Sequence, residues 1–296
     1  MIRFECDYAE GAAPQILERL TQTNLEQTPG YAVDKHCQRA RELIREACGA
    51  PQAAVEFLVG GTQTNQTVIS AALRPYQGVL CAQTGHINTH ETGAIEATGH
   101  KVLALPSQDG RITPEQVERF CAAHWADPTR EHTVQPGMLY LSQPTETGLL
   151  YSRAELEGFR AVCGRYGMYL YIDGARCGYG LAAPGNDVKL TDLARLTDVF
   201  YIGGTKVGAL FGEAAVISNP ALQRDFRSCI KRHGGMLAKG RLLGLQFEAL
   251  FEDNLYRQLG RHGVEQALRI REACLRRGLP LHFDSRTNQQ FPILTR

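Results

Sequence analysis

The sequence lacks any long apolar run. In its 296 residues, no stretch reaches the roughly 18 consecutive apolar residues that a transmembrane helix needs. An excess of charge of one sign is also missing, because 32 Lys and Arg stand against 31 Asp and Glu, a formal net charge of +1. These absences give no sign of a membrane or nucleic-acid partner. The first residues, Met1–Asp7, also lack the apolar segment of a signal peptide, so we expect no secretory leader.

Clustered cysteines are absent as well. The nine cysteines are scattered, with no Cys-x-x-Cys pair and no Cys/His group at zinc spacing. Dispersed thiols in odd number are typical of a reducing compartment, so we expect a cytoplasmic protein without a bound metal ion. Cys177 lies beside Arg176 and is the one candidate for a reactive thiol, although a role in the core is favoured for it.

Apolar runs of strand type alternate with helical patterns over about two hundred residues, which predicts an α/β protein. We expect a mostly parallel sheet flanked by helices on both faces. The predicted strands are Ala54–Val59, Gly78–Ala82, Lys101–Leu105, Gly137–Ser142, Met168–Ile172, Asp198–Ile202 and Glu213–Ile217.

Helices are predicted where apolar residues recur with helical spacing after a capping residue. Asp34, Thr113 and Ser152 are the predicted N-caps, and Glu155 completes a capping box with Ser152. The predicted spans are Pro14–Gln22, Lys35–Cys48, about Asn65–Leu73, Glu91–Thr98, Thr113–Ala123, Ser152–Tyr166 and a tract from Pro220 to Leu275 broken at 233–235.

Three regions follow from this organisation. Residues 1–14 form an N-terminal arm, residues 15–240 a large domain, and residues 241–296 a small C-terminal α+β domain. Two further strands, Pro280–Phe283 and Gln290–Leu294, are predicted in the small domain, which we expect to be incomplete.

One lysine follows a predicted strand directly. The apolar run Val199–Ile202 ends in Gly203-Gly204-Thr205, and Lys206 comes next. An amine at the end of a buried strand is partly desolvated, which lowers its pKa and favours a nucleophile. The alternative is a solvated lysine in a loop, and the other residues of the sequence are needed to choose between these two interpretations.

Polar residues follow the other strand ends, and in an open α/β sheet these ends meet at one edge. Asp173 ends the run Met168–Ile172, and a buried acid needs a cationic partner, for which Lys206 is the candidate. The turn Gly60–Asn65 enters a helix and suits a phosphate. His86 follows the strand Gly78–Ala82 and suits ring stacking or proton transfer. A lysine, an acid, a phosphate turn and a stacking ring are the parts that pyridoxal 5'-phosphate requires.

Four motifs carry a resemblance to one family. They are Gly60-Gly61-Thr62-Gln63-Thr64-Asn65, His86-Ile87-Asn88-Thr89-His90-Glu91-Thr92-Gly93-Ala94, Asp173-Gly174-Ala175-Arg176 and Gly203-Gly204-Thr205-Lys206-Val207-Gly208-Ala209. In this order the sequence resembles a fold-type-I pyridoxal-phosphate enzyme of the threonine aldolase / β-eliminating lyase family. The resemblance spans nearly the whole chain and implies the fold-type-I, transferase-like architecture.

The resemblance also implies a role for each matching residue. Lys206 would form the Schiff base with pyridoxal 5'-phosphate, Asp173 would pair with the pyridine nitrogen, and His86 would stack on the ring and assist proton transfer. The remaining implied roles are phosphate binding by Gly61 and Thr62 with help from Thr205, contact with the cofactor or the substrate carboxylate by Arg176, and supply of Tyr31 to a neighbouring subunit's site.

The implied activity is cleavage of a β-hydroxy-α-amino acid of the L-threonine type to glycine and an aldehyde, by a homodimer or homotetramer. Two alternatives stay open at this point. The same Lys206 and Asp173 would serve a β-eliminating lyase or another amino-acid enzyme with this cofactor, and a non-catalytic relative would bind a ligand without turnover. A nucleotide-binding Rossmann protein is disfavoured, because Gly60-Gly61-Thr62 is not Gly-x-Gly-x-x-Gly.

Overall fold

A seven-stranded sheet forms the centre of the computed structural model, which describes residues 3–294. The strands lie in the order β1-β7-β6-β5-β4-β2-β3, and only β7 runs antiparallel to its neighbours. The predicted, mostly parallel sheet is therefore confirmed. Its strands are β1 (Ala54–Leu58), β2 (Gln77–Ala82), β3 (Val102–Leu105), β4 (Gln135–Ser142), β5 (Tyr169–Asp173), β6 (Val199–Gly203) and β7 (Glu213–Ile217).

Helices cover both faces of this sheet, as the alternating pattern predicted. The helices within residues 3–294 are α1 (Pro14–Gln22), α2 (Lys35–Cys48), α3 (Gly61–Ala72), α4 (His86–Thr89), α5 (Pro114–Ala126), α6 (Arg153–Tyr166), α7 (Cys177–Ala182), α8 (Leu190–Leu196), α9 (Phe226–Arg232), α10 (Arg241–Phe251) and α11 (Leu255–Arg276). None of these helices combines the length and the apolar content needed to cross a bilayer.

Side-chain caps fix the start of three helices at the predicted residues. The Asp34 carboxylate accepts a hydrogen bond from the Cys37 amide, and Ser152 and Glu155 form the predicted capping box of α6. Thr113 also caps α5, where Gln116 completes a second capping box that the sequence analysis did not assign. Each cap satisfies amide groups that have no partner inside the helix.

The predicted helix at Glu91–Thr98 is wrong. A short helix, α4, begins instead at His86, and a separate 3-10 turn covers Glu96–Thr98. Thr92 and Gly93 between them have φ angles of 52° and 73°, in the left-handed region that interrupts a right-handed helix. The start of α3 also differs from the prediction, because Gly61 already belongs to its first turn.

The two predicted C-terminal strands, Pro280–Phe283 and Gln290–Leu294, are absent from the described residues. A single bridge joins Leu281 to Pro292, and a proline has no amide hydrogen with which to extend a ladder. The segment between them packs against the loop after β4, where the Ser285 hydroxyl donates to the Gly148 carbonyl at 3.0 Å. The predicted domain division stays a prediction.

The strand register brings several loops to one edge of the sheet. Asp173 at the end of β5 pairs with Ser142 at the end of β4. Glu213, the first residue of the antiparallel β7, lies opposite both Gly203 at the end of β6 and Leu58 at the end of β1. This edge is where an α/β sheet places its ligands.

Candidate active site

A cavity of about 220 Å³ lies at this edge of the sheet. All seven residues that the resemblance implied for the cofactor line it: Gly61, Thr62, His86, Asp173, Arg176, Thr205 and Lys206. A larger cavity of about 760 Å³ lies between α2, α7 and α11 and contains none of them. We place the site in the smaller cavity, because a half-buried lysine, buried acids and a helix N-terminus converge there.

Asp173 is a buried carboxylate with three hydrogen-bond donors. Tyr140 Oη lies 2.6 Å from Oδ2 and Asn65 Nδ2 lies 3.3 Å from it, while the Ala175 amide donates to Oδ1 at 2.9 Å. The side chain is only 4% exposed. The predicted ion pair with Lys206 is not formed among residues 3–294, because these neutral donors satisfy the carboxylate instead.

Lys206 projects from a tightly held loop. The Gly204 and Thr205 amides both donate to the Gly212 carbonyl, and Tyr179 Oη donates to the Lys206 carbonyl at 2.6 Å. Burial lowers the pKa of the Lys206 amine, and the nearby positive charge of Arg176 lowers this pKa further. A larger neutral fraction of the amine favours reaction with an aldehyde.

Glu213 is a site residue that the sequence analysis missed. Its carboxylate accepts hydrogen bonds from Thr205 Oγ1 at 3.0 Å and from the Gly204 amide at 3.3 Å, and it lines the cavity. Burial raises the pKa of Glu213 to about 8. An acid that begins the apolar run Ala214–Ile217 was a visible signal of the same kind as Asp173.

His86 is oriented by Glu91, an acid of the same motif. His86 Nδ1 lies 2.8 Å from Glu91 Oε1, and this hydrogen bond is the main cause that raises the pKa of His86. Asn65 Nδ2 also donates to Glu91 Oε1 at 2.7 Å, so one amide links Glu91 to Asp173. The bond at Nδ1 leaves His86 Nε2 available for a substrate or a cofactor ring.

A second acid without a predicted role, Glu146, joins the loop after β4 to His86. Its Oε1 accepts from the His86 amide at 2.9 Å and from Ser142 Oγ at 2.6 Å. Burial raises the pKa of Glu146. The acid thus fixes the start of α4, and with it the position of the imidazole.

The N-terminus of α3 provides an anion site beside Lys206. The first amides of a helix have no intrahelical acceptors and carry the positive end of its dipole. A Cβ atom at Gly61 would lie 3.0 Å from Tyr201 Oη, so a larger residue would crowd this side of the cavity. Amide donors, the Thr62 and Thr205 hydroxyls and a reactive amine in one cavity fit the phosphate and the aldehyde of the implied cofactor.

Arg176 reaches the cavity from the start of α7, held by the N-terminal arm. Its Nε and Nη2 atoms donate to the two oxygens of Asp7 at 2.6 and 3.1 Å. Asn288 Nδ2, from the C-terminal segment, donates to the same carboxylate at 2.9 Å. Asp7 was not predicted; it ties both terminal segments to Arg176.

Tyr31 does not line the cavity. The residue is 47% exposed, and Lys231 Nζ lies 5.1 Å from the centroid of its ring. Its φ angle is 59°, and Arg227 Nη2 donates to its carbonyl at 2.8 Å. Within one chain, the structure therefore keeps this predicted substrate residue apart from Lys206.

The fold and the site together are those of the fold-type-I class of pyridoxal-phosphate enzymes: a mostly parallel sheet with a half-buried lysine, a buried acid and a helix N-terminus at one edge. The family model for β-eliminating lyases matches residues 4–262, and the chain belongs to this family.

Three known proteins illustrate the similarity. The low-specificity L-threonine aldolases of a Pseudomonas strain and of Pseudomonas aeruginosa are 31% and 29% identical to this chain, over 88% of it and 74% of their own lengths. The solved structure of Leishmania major threonine aldolase is 46% identical, with a TM-score of 0.95 over 98% of this chain and 84% of that one. The fold predicted from the resemblance is confirmed.

Proposed function

We propose that this chain holds pyridoxal 5'-phosphate at Lys206 and cleaves a β-hydroxy-α-amino acid of the L-threonine type to glycine and an aldehyde. The observation that carries the proposal is the shared cavity of Lys206, Asp173 and the N-terminus of α3. Its relatives named L-threonine aldolases support the choice of substrate and reaction.

Different residues of the cavity bind different parts of the cofactor. Pyridoxal 5'-phosphate, when bound, supplies an aldehyde for an amine and a ring that accepts the electron pair released at the substrate's α-carbon. The first turn of α3 would bind the phosphate, Lys206 would hold the aldehyde group, and Asp173 would keep the ring nitrogen protonated. Tyr140 and Asn65 hold Asp173 in place for this role.

In this proposal, His86 and Glu91 together carry out proton transfer. The cleavage needs a base for the β-hydroxyl proton, and His86 Nε2 has no hydrogen-bond partner among residues 3–294 while Nδ1 is bonded to Glu91. The acid stabilises the charged imidazole once His86 has taken the proton, which is the cause of its raised pKa. A water beside Glu91 is the other candidate base.

A Lys206→Ala variant and an analysis of the reaction products test the proposal. Purified protein should show an absorbance band of bound cofactor that borohydride fixes to Lys206, and Lys206→Ala should lose both. Lys101→Ala, which changes an exposed lysine, is the matched control and should keep both. Added L-threonine should yield glycine and an aldehyde. Release of a keto acid and ammonia from threonine or serine would instead identify a β-eliminating lyase, and cofactor binding without turnover a non-catalytic relative.

We also infer a homodimer or homotetramer in which Tyr31 completes a neighbouring subunit's site. The exposed ring outside its own cavity supports this. Mixing inactive Lys206→Ala and Tyr31→Phe chains should restore part of the activity if sites are shared.

A cytoplasmic location is supported by the nine thiols, none of which forms a disulfide within residues 3–294.

A further inference from the structure

Glu213 is a buried acid to which the proposed mechanism gives no task. It is 4% exposed, and it forms no ion pair with any residue from 3 to 294. Its only hydrogen-bond donors there are the Thr205 hydroxyl and the Gly204 amide. An uncompensated buried carboxylate is costly, so its presence in the cavity needs a reason.

The register of β7 places this acid between the two turns that hold the cofactor in the proposed function. Glu213 pairs with Leu58, three positions (61 − 58) before the first residue of α3, and with Gly203, three positions (206 − 203) before Lys206. Glu213 and Gly61 line the same cavity. A phosphate at the N-terminus of α3 would therefore share this cavity of about 220 Å³ with the Glu213 carboxyl group.

The surroundings of Glu213 offer little compensating charge. Lys206 favours the ionised form of Glu213, whereas Asp173 opposes it. Burial raises the pKa of each nearby phenol well above its ordinary value, so these groups are uncharged: Tyr171, Tyr201 and Tyr256. The flanking strand β1 and helix α10 contribute apolar side chains such as Leu58 and Phe247.

The hydroxyl of Thr205 connects Glu213 to the anion site. Thr205 Oγ1 accepts from the Gly212 amide at 3.0 Å and has a single hydrogen to donate. While Glu213 is ionised, that hydrogen is used on its carboxylate. If Glu213 carries a proton, the acid donates to Thr205 Oγ1 instead, and the threonine hydrogen is free to point at a phosphate oxygen.

We propose that a phosphate group binds at the N-terminus of α3 with Glu213 in its protonated form, so that Glu213 takes up one proton from solvent wherever it is still ionised in the free protein, and that in this form the Thr205 hydroxyl donates to the phosphate instead of to Glu213. Glu213 is thus a positioning residue that acts through Thr205. The inference rests on the proposed function, because it takes the phosphate of the cofactor as the ligand of α3.

Calorimetry on cofactor-free protein tests this uptake directly. Pyridoxine 5'-phosphate is the probe, since it carries the phosphate but has no aldehyde and leaves Lys206 unbonded. Titration in two buffers of different ionisation enthalpy counts the protons taken up on binding. Inorganic phosphate and pyridoxine without phosphate are the control ligands, and Glu213→Gln is the matched variant, with similar shape but no titration.

The expected uptake has a defined pH window. At about pH 6 Glu213 is already protonated, and both proteins should take up the same number of protons. At about pH 9 the phosphate is fully ionised, and the wild type should take up close to one proton more than Glu213→Gln. The Kd of the wild type should also rise with pH relative to that of the variant, by up to about tenfold per pH unit.

Thr205→Val provides a second, independent test. It removes the proposed relay but keeps the charge of Glu213, so the extra proton should still be taken up while the probe binds more weakly at about pH 6. This variant also keeps the proposal testable if Glu213→Gln does not fold. Equal proton uptake by wild type and Glu213→Gln at about pH 9, or unchanged affinity in Thr205→Val, would overturn the inference. If pyridoxal 5'-phosphate itself does not bind the wild type, the proposed function is wrong, and the inference about Glu213 is wrong with it.

Discussion

Tyr140 Oη donates a 2.6 Å hydrogen bond to Oδ2 of Asp173, and both groups are buried. The two residues come from neighbouring strands, β4 and β5, and the ring of Tyr140 packs edge-on against Tyr171. The phenol therefore holds the carboxylate at the sheet edge without adding a charge. This arrangement leaves the acid available to a cationic ring nitrogen in the cavity.

Replacing Tyr140 by Phe should lower the free energy of unfolding by about 1.5–3 kcal/mol, because a charged acceptor loses a short hydrogen bond. Tyr171→Phe is the matched control, since its hydroxyl donates to the neutral Asn65 Oδ1 at 2.7 Å. Its expected loss is about 1 kcal/mol. Chemical denaturation of the cofactor-free proteins measures both, and equal losses would contradict a special role for the Asp173 contact.

Local pattern was sufficient to locate Lys206 and Asp173. Each follows an apolar strand, and parallel strand ends meet at one edge whatever the rest of the chain does. The hydrogen-bond partners of the site residues Asp173 and Arg176 could not be predicted, because they are distant in sequence. Asn65 lies 108 positions from Asp173, and Asp7 lies 169 positions from Arg176.

Backbone conformation explains the main local error. The segment Glu91–Thr98 has helix-forming residues, but Thr92 and Gly93 take positive φ angles. A threonine in that region is unusual, so composition gave no warning. The hydrogen bonds of Glu91 to His86 and Asn65 lie beside this turn, which shows tertiary contacts prevailing over local propensity.

Removing the charge of Arg176 and removing the charge of Asp7 should shift the pKa of Lys206 in opposite directions. Burial is the main cause that lowers this pKa, Arg176 lowers it further, and Asp7 raises it. Arg176→Gln should therefore raise the pKa of Lys206, and Asp7→Asn should lower it. The pH dependence of competitive aldehyde labelling, followed by mass spectrometry, reports the shift, with the exposed Lys101 as an internal reference. Shifts in the same direction would argue against charge as the cause.

Glu91→Gln should lower the pKa of His86. The hydrogen bond from Glu91 is the largest cause of the raised value, and a neutral amide stabilises the imidazolium less. Protonated His86 should then disappear at lower pH than in the wild type, as followed by NMR of its ring protons. Glu96→Gln, an exposed acid in the same segment, is the control and should leave this titration in place. An unshifted His86 in Glu91→Gln would count against the pair as the proton-transfer unit.

Glu213→Gln should flatten the pH dependence of stability in cofactor-free protein. Burial raises the pKa of Glu213 from 4.5 to about 8, so the folded state keeps a proton that the unfolded chain releases between these values. The stability of the wild type should therefore be highest below about pH 4.5 as far as this group is concerned. It should fall by about 1.4 kcal/mol per pH unit until about pH 8. The variant lacks this loss, so its stability relative to the wild type should rise by several kcal/mol across the window. Urea denaturation at a series of pH values measures the difference, with Glu96→Gln as the exposed control. Parallel curves for wild type and Glu213→Gln would mean that Glu213 is ionised in the folded protein throughout this range.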